Sequence, residues 1–171
     1  GINLALEAGV DSIEHASWLD ETSYQLLVES GSYIVPTLMV KDMIRRSLGS
    51  RDSTTRTRLE RSLAEHPRRV AEAFAAGVKI ASGSDAGVVP HGQNARELEW
   101  YVDIGLSEME AIVTATVNAA ELLGQSDHLG RLEEGRFADM IAVPASPLEN
   151  ISELFNVDFV MKAGKVYRDD R

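Results

Sequence analysis

Gly77-Val78-Lys79-Ile80-Ala81-Ser82-Gly83-Ser84-Asp85 is the stretch on which the fold reading turns. A glycine ends the long helical pattern before it, as glycine does at helix C-termini. Val78 to Gly83 then reads as a short strand, with an acidic residue just past its carboxyl end. The loop from Asp85 to Asn94 carries Gly87, Pro90 and Gly92, which punctuate turns. The same order recurs twice upstream. A helical tail through Leu4, Leu6 and Ala8 stops at Gly9, and Val10 to His15 reads as a strand. Asp20 suits the N-cap of a helix with Tyr24, Leu27 and Val28 on one stripe, closed by Gly31. Tyr33 to Thr37 is a β-branched strand with Pro36 near its end, where proline is tolerated. Leu38 to Leu48 is mixed in pattern. Arg51 to Ala76 reads as helix, interrupted or kinked near Pro67.

Downstream, Ala95 to Ile104 reads as a helix ending at Gly105. Ser107-Glu108-Met109-Glu110 is a capping box. The helix it opens carries Met109, Ile112, Val113, Thr116 and Val117 at helical spacing, and Gly124 stops the next turn. After Gly135 the pattern changes to strands at Phe137–Val143, Phe155–Met161 and Lys165–Tyr167. Helix and strand thus alternate up to about residue 125, which implies α/β architecture with parallel strands and helical crossovers. A (β/α)8 barrel takes about 250 residues, so three strands are part of such a barrel and cannot close one. Two regions are expected: a partial barrel over 1–135 and a β-rich segment over 136–171.

The 171 residues are 44% hydrophobic and 26% charged, the balance of a folded protein. Seventeen Lys and Arg stand against 27 Asp and Glu, a formal net charge of −10. Such a chain is a poor nucleic-acid binder. No apolar run approaches the ~20 residues of a spanning helix, so no membrane partner is expected. Cysteine is absent, which removes disulfides, thiolate zinc sites and a cysteine nucleophile, and fits the cytoplasm.

Two strands end in residues that metals bind, His15 and Asp85. In α/β sheets and barrels the chemistry sits at the carboxyl ends of parallel strands. Strand alternation places Asp85 on one face with Ala81 and Gly83, whose small size leaves room for an ion or substrate. Neutral imidazole is a zinc ligand, and a carboxylate can both bind a metal and accept a proton. A strand-end histidine is also an ordinary hydrogen-bonded residue, and Ser-Asp before glycine an ordinary turn. Spacing leaves both readings open, and a catalytic zinc takes three protein ligands rather than two. His91, in a Pro-His-Gly loop, and Lys41, after the Tyr33–Thr37 strand, are candidate substrate contacts. The competing reading of Lys41 is a solvated helix lysine, and of His91 a solvated loop histidine. The arginines from Arg51 to Arg69 interleave with Asp52, Glu60, Glu65 and Glu72, as on a solvated helical face. Trp18 and Trp100 read as packing residues. His66 and His128 sit among polar neighbours and carry no assignment.

Seven stretches, taken in order, resemble the C-terminal part of the amidohydrolase superfamily. They are Ala8–His15, Val35–Leu38, Gly83–Gly87, Pro90–Asn94, Ala115–Ala120, Gly130–Asp139 and Val160–Tyr167. The branch they resemble holds imidazolonepropionase-like enzymes and zinc-dependent Xaa-Pro dipeptidases. The resemblance implies a metal-dependent hydrolase built on a (β/α)8 barrel with one or two divalent ions, zinc first among them. It implies that His15 is the sixth-strand ligand and Asp85 the eighth-strand ligand, with Asp85 also moving the proton. The substrate would be a small cyclic amide or a dipeptide-like molecule, cut at a C–N bond. The last strands resemble the family's small β-sandwich. Lys41 stands where many relatives have a substrate-holding tyrosine. No His-x-His occurs, and the ligands of strands one, four and five have no counterpart here.

The chain opens on Gly1-Ile2-Asn3 without methionine and is expected to be a piece of a larger protein, inactive alone. Its partner is then either its own N-terminal half or a further copy in a homo-oligomer. The competing function is a catalytically inactive, truncated assembly module that uses its open strand edges. Fold does not fix reaction, so a lyase or deaminase on the same scaffold is a further alternative.

Overall fold

The computed structural model describes all 171 residues. It begins with α1 (Ile2–Glu7), and Gly9 turns the chain at φ 80° into β1 (Ser12–Glu14). α2 (Glu21–Ser30) starts at Asp20, whose carboxylate accepts the Ser23 N–H while the Ser23 hydroxyl takes the Asp20 N–H. Gly31 ends it in the left-handed region. β2 (Tyr33–Val35) is buried on both faces, as parallel strands under helices are.

A helical excursion separates β2 from β3 (Lys79–Ile80): α3 (Val40–Ser47), then α4 (Ser53–Ala75). The expected interruption at Pro67 does not occur, and α4 runs through it as one helix of 23 residues. The exposed face of α4 is laced by Arg56–Glu60, Arg61–Glu65 and Arg68–Glu72 pairs one turn apart. Such exposed pairs contribute only a few tenths of a kcal/mol each, about 0.3–0.5. α5 (Arg96–Asp103), α6 (Glu108–Ala115) and α7 (Val117–Leu122) follow. The Ser107–Glu110 capping box forms with both of its bonds. The single helix expected through Val117 breaks at Thr116, where φ is −123° and ψ −86°.

β1, β2 and β3 form one parallel sheet in that order, with Ile13 opposite Ile34 and Ile34 opposite Ile80. The helices bury its apolar side chains in one cluster around Leu19, Leu27, Ile34, Leu38, Val70 and Tyr101, all fully buried. Each buried aliphatic side chain contributes about 1.5–3 kcal/mol relative to exposure. On the far edge, Asn118 donates its side-chain amide to the Ile80 carbonyl at 2.8 Å, and Ser82 N–H reaches the Thr114 carbonyl at 2.9 Å. The α6–α7 junction therefore pairs part of the open edge of β3.

The last third is an antiparallel sheet of β4 (Met140–Ala142), β5 (Phe159–Lys162) and β6 (Lys165–Asp169). The strand expected from Phe155 starts later, because Ile151–Phe155 is a 3-10 turn capped by Asn150. Ile151 joins the first core cluster, so this turn ties the final segment to α5. Trp100 packs as expected, buried, with its indole N–H on Asp42 at 3.3 Å. Trp18 does not: it is 47% exposed, under the guanidiniums of Arg61 and Arg69. No helix is long and apolar enough to cross a membrane.

The strand reading of Ala81–Gly83 is corrected as well. β3 ends at Ile80, and the space at Gly83 is taken by Val35, whose Cγ1 a Cβ at Gly83 would overlap. Small residues there admit the neighbouring strand rather than an ion. Gly83→Ala is expected to lower stability by about 1–3 kcal/mol in urea unfolding. Val35→Ala in the same chain should recover part of the loss; strictly additive losses would show that this overlap is not the cause.

Candidate metal centre

The three parallel strands lie in register, so their carboxyl ends open on one side of the sheet. Past each end the backbone enters the left-handed region that L-residues avoid. φ is 64° at His15, 52° at Thr37 and 51° at Asp85. At a β-branched threonine this is a true outlier, and each such residue costs about 1–3 kcal/mol. His15 is the centre of a three-residue turn closed by the Ala16 N–H on the Glu14 carbonyl at 2.7 Å. Its own N–H still reaches the Val35 carbonyl at 2.8 Å, which roots the residue on β2.

Thr37 decides the state of the His15 ring. Its Oγ1 lies 2.8 Å from His15 Nδ1 and 2.7 Å from the Pro36 carbonyl. A hydroxyl has one proton, and a carbonyl can only accept. That proton goes to Pro36, so Thr37 accepts from His15 and Nδ1 carries the imidazole proton. Nε2 keeps its lone pair, which is the nitrogen a metal would take. The sequence reading gave Thr37 no role of its own.

Asp85 opens the next loop. It is exposed, and its carbonyl accepts the Val88 N–H at 3.0 Å. His91 is exposed in the same loop. No three His, Asp or Glu side chains gather as a possible ligand set. His15, Asp85 and His91 therefore do not make a complete site among themselves. His15 with a bare Nε2 and Asp85 with an exposed carboxylate have the right chemistry for a zinc ion. They fit as members of a donor set, one short of the three that a catalytic zinc takes from protein.

Lys41 is not the solvated lysine of the competing reading. It is buried on α3, its ammonium donating to Ser62 Oγ of α4 at 3.0 Å, and burial pulls its pKa down. His66, which carried no assignment, is buried beside it at 2% exposure. Neither ring nitrogen has a hydrogen-bond partner. Burial first, then the Lys41 ammonium, holds its pKa down to about 3. Lys41 was marked in the sequence by its place after the Tyr33–Thr37 strand, and nothing marked His66.

The amidohydrolase family model matches residues 1–167, and this chain belongs to the amidohydrolase family. Ochratoxinase of Aspergillus niger is 36% identical over 176 residues, which cover 98% of this chain and 36% of that enzyme. Its crystal structure gives a TM-score of 0.89 at 35% identity, over 98% of this chain and 39% of that one. A Xaa-Pro dipeptidase crystallised with methionine in its active site gives a TM-score of 0.92 at 38% identity, over 98% of this chain and 42% of that one. A probable imidazolonepropionase of Mus musculus is 39% identical over 70 residues, 38% of this chain and 16% of that protein. The chain thus spans well under half the length of the relatives it matches.

His66 makes stability depend on pH. Its folded pKa is depressed below the ordinary 6.5 to about 3. Between those values the unfolded chain holds the extra proton, so stability is full above 6.5 and falls as acid is added. The slope approaches about 1.4 kcal/mol per pH unit for this one group. His66→Gln is expected to flatten that part of the pH profile in chemical denaturation; an unchanged slope would place the dependence elsewhere.

Proposed function

We propose that the chain forms the C-terminal part of a (β/α)8 hydrolase that cuts a C–N amide bond with a divalent metal ion, zinc first among candidates. The observation that carries this is the fixed tautomer of His15, its Nε2 lone pair bare at the same sheet end as Asp85. His15 Nε2 and an Asp85 carboxylate oxygen would hold the ion, with the remaining donors supplied from outside these residues. When bound, such an ion would supply Lewis acidity toward the amide carbonyl and toward water. Asp85 would take a proton from water on its carboxylate and deliver it to the leaving nitrogen. The left-handed backbone at Asp85 and the turn it opens fix where that carboxylate starts.

The substrate is a dipeptide-like molecule or a small cyclic amide. The likeness to a Xaa-Pro dipeptidase supports the dipeptide-like class. His91 meets the substrate from its exposed loop. Lys41 serves the acidic end of the substrate: its ammonium is buried with a hydroxyl as its partner, an environment that favours an anion.

These roles separate in kinetics on the full-length polypeptide. Asp85→Asn is expected to lower kcat by about 100-fold or more, the loss of a general base, at nearly unchanged KM. Lys41→Met is expected to raise KM for substrates with a free carboxylate and to leave their carboxamide analogues unaffected. Wild-type kcat in Asp85→Asn would overturn the proton-transfer role; an equal KM rise for acid and amide would overturn the Lys41 role.

A further inference from the structure

Glu97 is a carboxylate on an apolar helix face. It lies in the first turn of α5 beside Leu98 and one turn before Tyr101, and it is fully buried. Its partners are backbone amides. Oε1 accepts the Leu38 N–H at 2.8 Å, and Oε2 accepts the Met39 N–H at 2.7 Å. Burying a carboxylate without partners is costly, and charge-assisted bonds to amides offset part of that cost.

Those two amides follow directly on Thr37. α3 begins at Val40, and Met39 at its N-cap makes no side-chain capping bond. The first three amides of α3 close on nearby carbonyls, Val40 on Thr37, Lys41 on Leu38 and Asp42 on Met39. The two amides before them are the ones Glu97 takes. A side chain from a distant helix thus caps α3 and pins the chain just past Thr37. On the other side, β2 pins the chain through its ladder with β1 and β3, and Pro36 fixes its own φ. Thr37, at φ 52°, is strained between two anchored ends.

We propose that Glu97 is a positioning residue: by clamping the Leu38 and Met39 amides it holds Thr37 left-handed, so that Thr37 Oγ1 keeps His15 protonated at Nδ1 with Nε2 free for a metal ion. The last step rests on the reading of His15 as a ligand; the tautomer does not. Tyr101 is fully buried on the same helix face, next to Glu97. A purely structural Glu97 would affect stability but not the ring state of a histidine on another strand.

The test is long-range 1H–15N correlation of the histidine rings in the 15N-labelled full-length polypeptide, near pH 8. Wild type should show His15 as the Nδ1–H tautomer. Thr37→Val, which removes the acceptor, should shift it toward a mixture. Glu97→Gln turns an amide NH2 toward one backbone N–H, and is expected to produce the same shift while exposed His91 stays as in wild type. Zinc affinity, followed by the His15 signals, should fall about 10-fold in both variants. Glu97→Asp keeps the charge with a shorter reach and serves if Glu97→Gln does not fold. A folded Glu97→Gln or Glu97→Asp chain with unaltered His15 tautomer would overturn the proposal, as would an Nε2–H ring in wild type. A tautomer shift in Glu97→Gln with no response of wild-type His15 to zinc would support the positioning role and sink the ligand reading.

Discussion

Left-handed backbone at His15, Thr37 and Asp85 costs about 1–3 kcal/mol apiece, and much of the structure serves to hold it. The three residues lie just past the carboxyl ends of β1, β2 and β3. Each is rooted in ordinary parallel ladder, so the departure is local. His15 keeps its N–H on Val35, and Thr37 spends its single proton on Pro36. Gly83 lets its loop lie flush on Val35 before Asp85 turns outward. The hydrophobic cluster under the helices supplies the stability against which this strain is set.

A consequence is that the state of the His15 ring is set by its neighbours. The His15 ring has one tautomer because its neighbour has one proton to give. The buried groups around it follow the same economy of partners. His66 stays neutral because neither ring nitrogen is solvated and a lysine sits close by. Glu97 tolerates burial because two amides face it, although burial still pushes its pKa up to about 7.

Much of the fold was legible in sequence because glycines and caps mark it. Gly9, Gly31, Gly77, Gly105 and Gly124 all take positive φ near the element ends they were read to close. Asp20 and Ser107 cap as their side chains suggest. Misreadings came where tertiary packing overrode local signal. Pro67 sits inside α4 without ending it, the helix after Ser107 breaks at Thr116, and Phe155 closes a 3-10 turn where a strand was expected. At the site, His15 and Asp85 were visible as residue types at strand ends. Their supports were not. Thr37 differs from any strand-end threonine only by its φ, and His66 looked polar among arginines. Glu97 alone left a trace: an acid among Leu98 and Tyr101 on the apolar face of its helix.

The family relationship covers nearly this whole chain and less than half of each long relative. The most direct measurement is zinc per polypeptide, by elemental analysis after dialysis against micromolar zinc, on the full-length protein and its His15→Ala and Asp85→Ala variants. Each substitution is expected to lower bound zinc relative to wild type, with circular dichroism unchanged. Wild-type zinc content in both variants would contradict the assignment of His15 and Asp85 to the metal.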